Sequence, residues 1–276
     1  MAGRLLRPRF IRRSIAAVAA LAATAAAVAA FAGVANAAGP EFDFTTIEGA
    51  AGSASGLAPT VAAYRALLGE PNNVSGPPAQ AGRREINWDG TPDDKSTPNL
   101  LPPDFFNTVV PRGAVFASNK GDEFKVSADN DNPTNTPTLF GDINRQYSDI
   151  FATFSPQRLF APIGTTKTNV RFFVPGTEDR ATVKGFGAVF TDVDRNNSTK
   201  IEVFDRDGRR IWWSYVPGGT QAGKSLSFLG VKTTADIYEV RITTGNAPLS
   251  GSNNDNRKWD IVAMDDFLYS EPHRLS

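Results

Sequence analysis

The sequence contains no cysteine, and its single histidine, His273, lies three residues from the end of the chain. A zinc site built from histidine and cysteine ligands is therefore excluded, and so is catalysis by a serine–histidine–aspartate triad. Disulfide bonds are excluded as well, so an exported form of the chain must be stabilised by its hydrophobic core. Any enzymatic chemistry would have to depend on carboxylates.

Residues 1–37 are predicted to be a signal peptide. Five arginines occur within the first 13 residues, an alanine-rich apolar stretch follows, and Ala35-Asn36-Ala37 is typical of a cleavage site. A retained membrane anchor is the alternative, because the apolar stretch is close to the length that spans a bilayer. Arg12-Arg13 leaves open whether export follows the general or the twin-arginine route. The pattern predicts a protein that is secreted or displayed on the cell surface.

The balance of charges argues against two classes of partner. The full chain has 29 basic and 29 acidic residues, and the predicted signal peptide contains five of the arginines and no acidic residue. The remaining chain has 24 basic and 29 acidic side chains, which is a net charge of about −5. A protein of this charge is not expected to bind nucleic acid or an anionic membrane surface.

The distribution of turns indicates an all-β fold. After residue 37, short apolar runs recur about every ten to fifteen residues, with glycine- and proline-containing turns between them. This spacing is typical of an antiparallel β-sandwich. One short helix is predicted over Pro59–Leu68, because Pro59 suits a first turn and Gly69 suits a helix end. Residues 38–110 are predicted to be a helix-and-loop elaboration, packed on a sandwich core formed by residues 111–276.

The clearest strands lie within Gly185–Val216. Ala188–Thr191, Thr199–Phe204 and Arg209–Val216 are predicted to be three consecutive antiparallel strands. Asp207-Gly208 lies between the last two and predicts a hairpin, since both residue types tolerate a positive φ. We expect the rest of the chain to complete the sheet that begins here.

An oxygen-rich loop in the same stretch is a candidate calcium site. Asp192, Asp194 and Asn196 alternate along it, and calcium prefers carboxylate and amide oxygens on loops. Asp129–Asn132 and Asn253–Asp255 are looser versions of the pattern. The alternative is that aspartate and asparagine are present because they form turns well, and this interpretation is favoured for the two looser loops.

Adjacent aromatic residues form a candidate ligand surface. Trp212 and Trp213 are neighbours, so one of them is expected to point outward from a regular strand, and Tyr215 shares the side of Trp213. Exposed aromatic rings can stack against the faces of sugars. The alternative is that one tryptophan belongs to the core and the other covers a sheet edge.

Four short motifs follow one another toward the C-terminus: Asp207-Gly208, Ser227–Val231, Ile237–Ile242 and Asp265–Tyr269. In this order they resemble the closing half of extracellular bacterial jelly-roll modules, among them carbohydrate-binding modules. The resemblance covers about the last hundred residues. It implies an antiparallel β-sandwich of jelly-roll type, with a glycan as the leading class of ligand.

Asp265 and Asp266 are adjacent in a predicted strand, so one of them is expected to point inward. An inward carboxylate must be paired, hydrogen-bonded or bound to a metal. The resemblance implies a structural calcium site here, because a terminal-strand aspartate of such modules often shares calcium with an acidic residue near the N-terminus. The candidate partners in this chain are Glu41, Asp43 and Glu48.

These features favour a non-catalytic function. We expect a secreted or cell-surface binding module, with a glycan as the leading ligand and calcium as a structural ion. One alternative is a structural or adhesive surface protein without a small-molecule site. Another is a carbohydrate-active enzyme, for which Glu85 and Asp89 are the candidate pair of carboxylates.

Overall fold

A computed structural model of the chain describes residues 42–74, 76–219 and 223–275. Strands account for 37% of the residues and helices for 11%, and the strands form two antiparallel sheets. The predicted all-β, two-sheet architecture is therefore confirmed. The predicted signal peptide, residues 1–37, lies outside the described residues. Within the part that the structure describes, no helix is both long and apolar enough to cross a membrane.

The described residues contain three α-helices, one 3-10 turn and thirteen strands. The helical elements are α1 (Ala54–Leu68), α2 (Phe105–Thr108), α3 (Tyr147–Ile150) and the 3-10 turn Asp93–Lys95. The strands are β1 (Phe44–Ala51), β2 (Arg83–Ile86), β3 (Ala114–Ala117), β4 (Phe124–Val126), β5 (Phe160–Pro162), β6 (Lys167–Phe172), β7 (Ala181–Thr191), β8 (Lys200–Phe204), β9 (Arg210–Tyr215), β10 (Leu226–Ile237), β11 (Glu239–Thr243), β12 (Ala263–Ser270) and β13 (His273–Arg274).

The two sheets enclose the main hydrophobic core. Among the described residues, the larger sheet has eight strands in the order β1-β10-β7-β12-β5-β4, with β2 also beside β12 and β13 beside β7. The smaller sheet has the order β3-β6-β11-β8-β9. Burial alternates along β6, where Thr168, Val170 and Phe172 face the core and the residues between them are half-exposed. This period of two leaves the other face of the smaller sheet open to solvent.

Helix α1 covers the outer face of the larger sheet. It begins at Ala54, five residues before the predicted start at Pro59, and Ser53 caps it by accepting a hydrogen bond from the Gly56 amide at 3.2 Å. The Tyr64 hydroxyl donates to the carbonyl oxygen of Val231 at 2.8 Å. A Cβ atom on Gly187 or Gly230, which face each other in β7 and β10, would lie 2.8 or 2.7 Å from the Tyr64 ring. The two glycines therefore allow the helix to approach the sheet closely.

The expectation of three consecutive strands in one sheet is wrong. Strand β7 belongs to the larger sheet, whereas β8 and β9 belong to the smaller one. The chain leaves the larger sheet at Asp192, whose φ of 67° turns it away from the line of β7. The hairpin that joins β8 to β9 is confirmed, and Gly208 has the positive φ, 75°, that the turn requires.

Residues 38–110, predicted as an elaboration, contribute strands to the larger sheet. Strand β1 pairs with β10 along its whole length, and β2 pairs with β12. Trp88, which follows β2, is buried in the main core and stacks on Phe160 with ring centroids 4.2 Å apart. The larger sheet and the main core therefore depend on residues that precede residue 111.

A fully buried ion pair joins β2 to the end of β12. The Arg84 guanidinium donates to Glu271 at 2.8 and 2.7 Å, and the two side chains are 0% and 1% exposed. Arg84 also donates to the carbonyl oxygens of Pro111 and Pro77, at 2.7 and 3.1 Å. Glu271 accepts two further bonds, from the Asn73 side chain at 2.9 Å and the Ala79 amide at 3.0 Å. The pair is therefore well satisfied by hydrogen bonds.

Removal of one partner of this ion pair is expected to destabilise the fold strongly. Arg84→Met leaves the Glu271 carboxylate buried without its cation, which should lower the free energy of unfolding by about 3–5 kcal/mol. The double variant Arg84→Met/Glu271→Leu should lose less, because neither charge remains buried. Urea denaturation measures both. Arg274→Gln, which breaks the exposed pair with Asp179, is the control and should cost no more than about 1 kcal/mol. A similar loss in Arg84→Met and Arg274→Gln would contradict this account.

Candidate functional site

Three aspartates from two loops converge in what we call the acidic centre: Asp194, Asp255 and Asp260. Asp194 follows β7, and the other two precede β12. One carboxylate oxygen from each lies within 4.8 Å of the others. Asp260 is buried and accepts hydrogen bonds from the Asp194 amide, at 3.1 Å, and from the Ser198 hydroxyl. These bonds hold the two loops together and keep the carboxylates close despite their mutual repulsion.

A fourth aspartate, Asp192, is buried beside the acidic centre. Its side chain is 0% exposed and makes no hydrogen bond of normal geometry among the described residues, although the Gly223 amide lies close enough to act on its pKa. Burial, together with the neighbouring charges of Asp194, Asp255 and Asp260, raises the pKa of Asp192 to about 8, and the Gly223 amide opposes the rise. A buried carboxyl with so little hydrogen bonding is costly to the folded protein, and a bound cation would reduce that cost.

The donor atoms of the acidic centre suit a hard divalent cation. All of them are carboxylate oxygens, the ligands that calcium and magnesium prefer. Burial, together with the neighbouring charges of Asp194 and Asp260, raises the pKa of Asp255 to about 6. A cation would favour the charged form of every one of these groups. The residues therefore fit a bound calcium ion.

Of the three residues predicted for the loop after β7, only Asp194 belongs to the acidic centre, and Asp192 lies beside it. The Asn196 side chain accepts a hydrogen bond from the Gly218 amide at 2.8 Å and so shapes the loop. Asp255 comes from the looser candidate Asn253–Asp255. Asp260 was not predicted. The only signal for it is a carboxylate placed directly before the apolar run that leads into β12.

Asp265 and Asp266 are both buried, but among the described residues they do not join a metal-sized cluster of acidic groups. A bulge between Met264 and Phe267 interrupts the regular alternation of β12. Both carboxylates consequently reach the Ser155 hydroxyl, at 3.2 Å from Asp265 and 2.7 Å from Asp266.

Protein groups satisfy these two carboxylates. Asp265 accepts the Phe154 amide at 2.6 Å, and Asp266 lies 3.4 Å from the Arg65 guanidinium. Of the predicted acidic partners, Glu41 lies outside the described residues, and Asp43 and Glu48 lie before and within β1. Burial and the neighbouring charge of Asp266 raise the pKa of Asp265 well above its ordinary value.

The aromatic residues of β9 divide between the two faces of the smaller sheet. Trp213 and Tyr215 point outward and are 46% and 39% exposed, whereas Trp212 is half-buried against the main core. The exposed rings are nearly perpendicular, at 87°, with centroids 5.3 Å apart. Strand β9 is at the edge of its sheet, and both rings project from the face of that sheet that is open to solvent.

Charged side chains surround the exposed tryptophan. Lys200 and Arg210 lie 6.0 and 5.6 Å from the centre of the Trp213 ring. Both also bind Glu202, which is opposite Trp213 in β8, at 2.9 and 2.7 Å. Burial raises the pKa of Glu202, but its hydrogen bonds to Lys200 and Arg210 outweigh this and lower it overall. The rings are therefore held in place by a charged network at the rim.

Glu85 and Asp89 are bound to different partners. Glu85 accepts hydrogen bonds from Arg65 at 2.7 Å and Arg83 at 2.7 Å. Burial raises the pKa of Glu85, but these hydrogen bonds outweigh it and lower the value overall. Asp89 accepts the backbone amides of Gln157 and Arg158, the latter at 3.0 Å, and so fixes the segment before β5.

The raised pKa of Asp265 predicts a dependence of stability on pH. Because the folded state holds the Asp265 proton more tightly than the unfolded state, the stability that Asp265 contributes is fully present below about pH 4 and is lost as the pH rises toward the folded pKa. Asp265→Asn has no proton to lose. Its free energy of unfolding relative to wild type should therefore increase between about pH 4 and pH 7 in urea denaturation. Asp131→Asn, at an exposed position, is the control. A difference that stays constant with pH would contradict the prediction.

No protein-family model matches this chain, and a search of curated proteins finds no match to it.

Proposed function

We propose that this protein is a secreted or cell-surface binding module of jelly-roll type, that it binds a glycan without catalysis, and that calcium stabilises it. The observation that carries the proposal is the pair of exposed rings, Trp213 and Tyr215, on the uncovered edge of the smaller sheet. Trp213 and Tyr215 lie side by side and together form a small exposed apolar patch, and the apolar faces of sugars stack on such rings.

The surroundings of the two rings also suit a sugar. Glu202, Lys200 and Arg210 lie on the same face and supply hydrogen-bonding groups beside Trp213. A sugar ring has one apolar face and a rim of hydroxyl groups, so it needs both kinds of contact. Both rings are exposed at the surface, which suits a segment of a polymer better than a small molecule that needs an enclosed pocket.

Calcium has a structural role in this proposal. The acidic centre joins the loop after β7 to the loop before β12, and the loop after β7 leads directly into β8. The same loop is linked to the chain beyond β9, because the Thr199 carbonyl accepts the Val216 amide at 2.9 Å. A cation in the acidic centre would therefore stiffen the strands that present Trp213 and Tyr215.

Removal of the exposed rings is expected to abolish glycan binding. Trp213→Ala and Tyr215→Ala should each weaken binding by about tenfold or more, because buried aromatic contacts dominate such interfaces. Their Tm should change little, since both rings are exposed. A glycan array identifies the ligand, and titration calorimetry then measures its Kd. Phe44→Ala, which removes an exposed ring from β1 in the larger sheet, is the matched control and should bind normally. A wild-type protein that binds no glycan would favour the structural or adhesive alternative.

Chelation is expected to destabilise the protein. Calcium at roughly a hundred times its Kd contributes about 2.7 kcal/mol, which corresponds to about 5–10 °C in Tm for a chain of this size. Asp194→Asn and Asp255→Asn should lose this response, whereas Asp131→Asn should keep it. Differential scanning calorimetry with EDTA, and then with added calcium, measures the effect. An unchanged Tm in EDTA would refute the calcium site and leave the glycan proposal to its own test.

A further inference from the structure

A polar cleft with a volume of about 330 Å³ lies beside α1, β2 and β12. This volume is within the range of pockets that bind small molecules. The side chains that line it and matter here are Arg65, Asn72, Glu85, Arg112, Ser155 and Asp266. The cleft is formed by elements other than those that carry Trp213 and Tyr215.

Arg112 is a cation without a carboxylate partner in this cleft. Its Nε atom is buried and has no hydrogen-bond partner, and no described carboxylate lies within ion-pair distance of its guanidinium. The guanidinium is 5.9 Å from the centre of the Phe106 ring, and burial lowers the pKa of Arg112. The Arg112 side chain is half-buried and lines the cleft, so an anion bound there could complete hydrogen bonds that the protein leaves open.

The nearby acidic groups are already in use. Both oxygens of Glu85 are bound by Arg65 and Arg83. Asp266 is held by Ser155 and by Arg65. The protein therefore supplies a positive charge at Arg112 and leaves its counter-ion to a ligand.

The other side chains that line the cleft indicate which chemical groups the ligand carries besides its anionic group. The Asn72 side-chain oxygen is buried without a hydrogen-bond partner among the described residues, so it requires a donor. Ser155 and Asp266 add further polar atoms at the cleft wall. Hydroxyl groups satisfy such a lining because each one both donates and accepts.

We propose that this cleft binds a sugar acid, with the ligand carboxylate on Arg112 and its hydroxyl groups on Asn72 and the neighbouring polar side chains. Arginine recognises carboxylates through parallel hydrogen bonds, which gives this contact both strength and orientation. The proposal is independent of glycan binding at Trp213.

Calorimetric titration with four probes tests the proposal. Glucuronate and galacturonate carry both the carboxylate and the hydroxyl groups, glucose lacks the carboxylate, and acetate lacks the hydroxyl groups. We expect both uronates, or one of them, to bind at least about tenfold more tightly than glucose or acetate. Equal binding of all four probes, or no binding of either uronate, would overturn the proposal.

Variants test the assigned contacts. Arg112→Gln should weaken uronate binding by about tenfold or more while changing the Tm little, because the half-buried Arg112 side chain forms no ion pair with a described carboxylate that would be lost. Asn72→Asp preserves the shape of the side chain but adds a negative charge, and it too should weaken binding. Arg171→Gln, on the outer face of the smaller sheet, is the matched control. If Arg112→Gln and Asn72→Asp bind uronate like wild type, the site is wrong. A loss of glycan binding at Trp213 in these variants would concern the other site and would not bear on uronate binding in the cleft.

Discussion

The fold depends on a buried ion pair between two distant parts of the chain. Arg84 and Glu271 draw together β2, the turn before it, the segment at Pro111 and the residues after β12. Charges buried this deeply are tolerated only when every lone pair and proton is satisfied, and here both partners have additional hydrogen bonds. Two residues of the polar cleft, Asn72 and Arg112, are next in sequence to Asn73 and Pro111, which the pair binds. The pair therefore positions the cleft as well as the sheet.

Buried carboxylates in this protein are accommodated in three ways. Glu271 is neutralised by an arginine. Asp265 is held by backbone and hydroxyl donors, and its raised pKa favours the protonated form. Asp192 makes no hydrogen bond of normal geometry among the described residues. Groups of the chain itself satisfy Glu271 and Asp265, so these two carboxylates stabilise local structure. Asp192 is not satisfied in this way, and this difference separates a structural carboxylate from a candidate ligand site.

Local chemistry explains which features were predictable. Asp207-Gly208 specifies a hairpin by itself, and alternation within β9 was enough to separate Trp213 from Trp212. The partner of β7 was not predictable, because a positive φ at Asp192 redirects the chain into the other sheet. Asp260 and Arg112 were missed for a related reason. Neither residue belongs to a recognisable sequence motif. Asp260 is significant because the fold places other aspartates beside it, and Arg112 because it has no carboxylate partner among the described residues.

The pairing of β1 with β10 and of β2 with β12 has a consequence for folding. These contacts join residues separated by most of the described chain, so the first strands have no neighbours in the sheet until the last strands exist. Closing such long loops is slow, since the entropic cost is incurred before the contacts form. During synthesis, β1 and β2 therefore remain unpaired until the C-terminal strands have been made. A chain with this topology assembles its larger sheet late and as a unit.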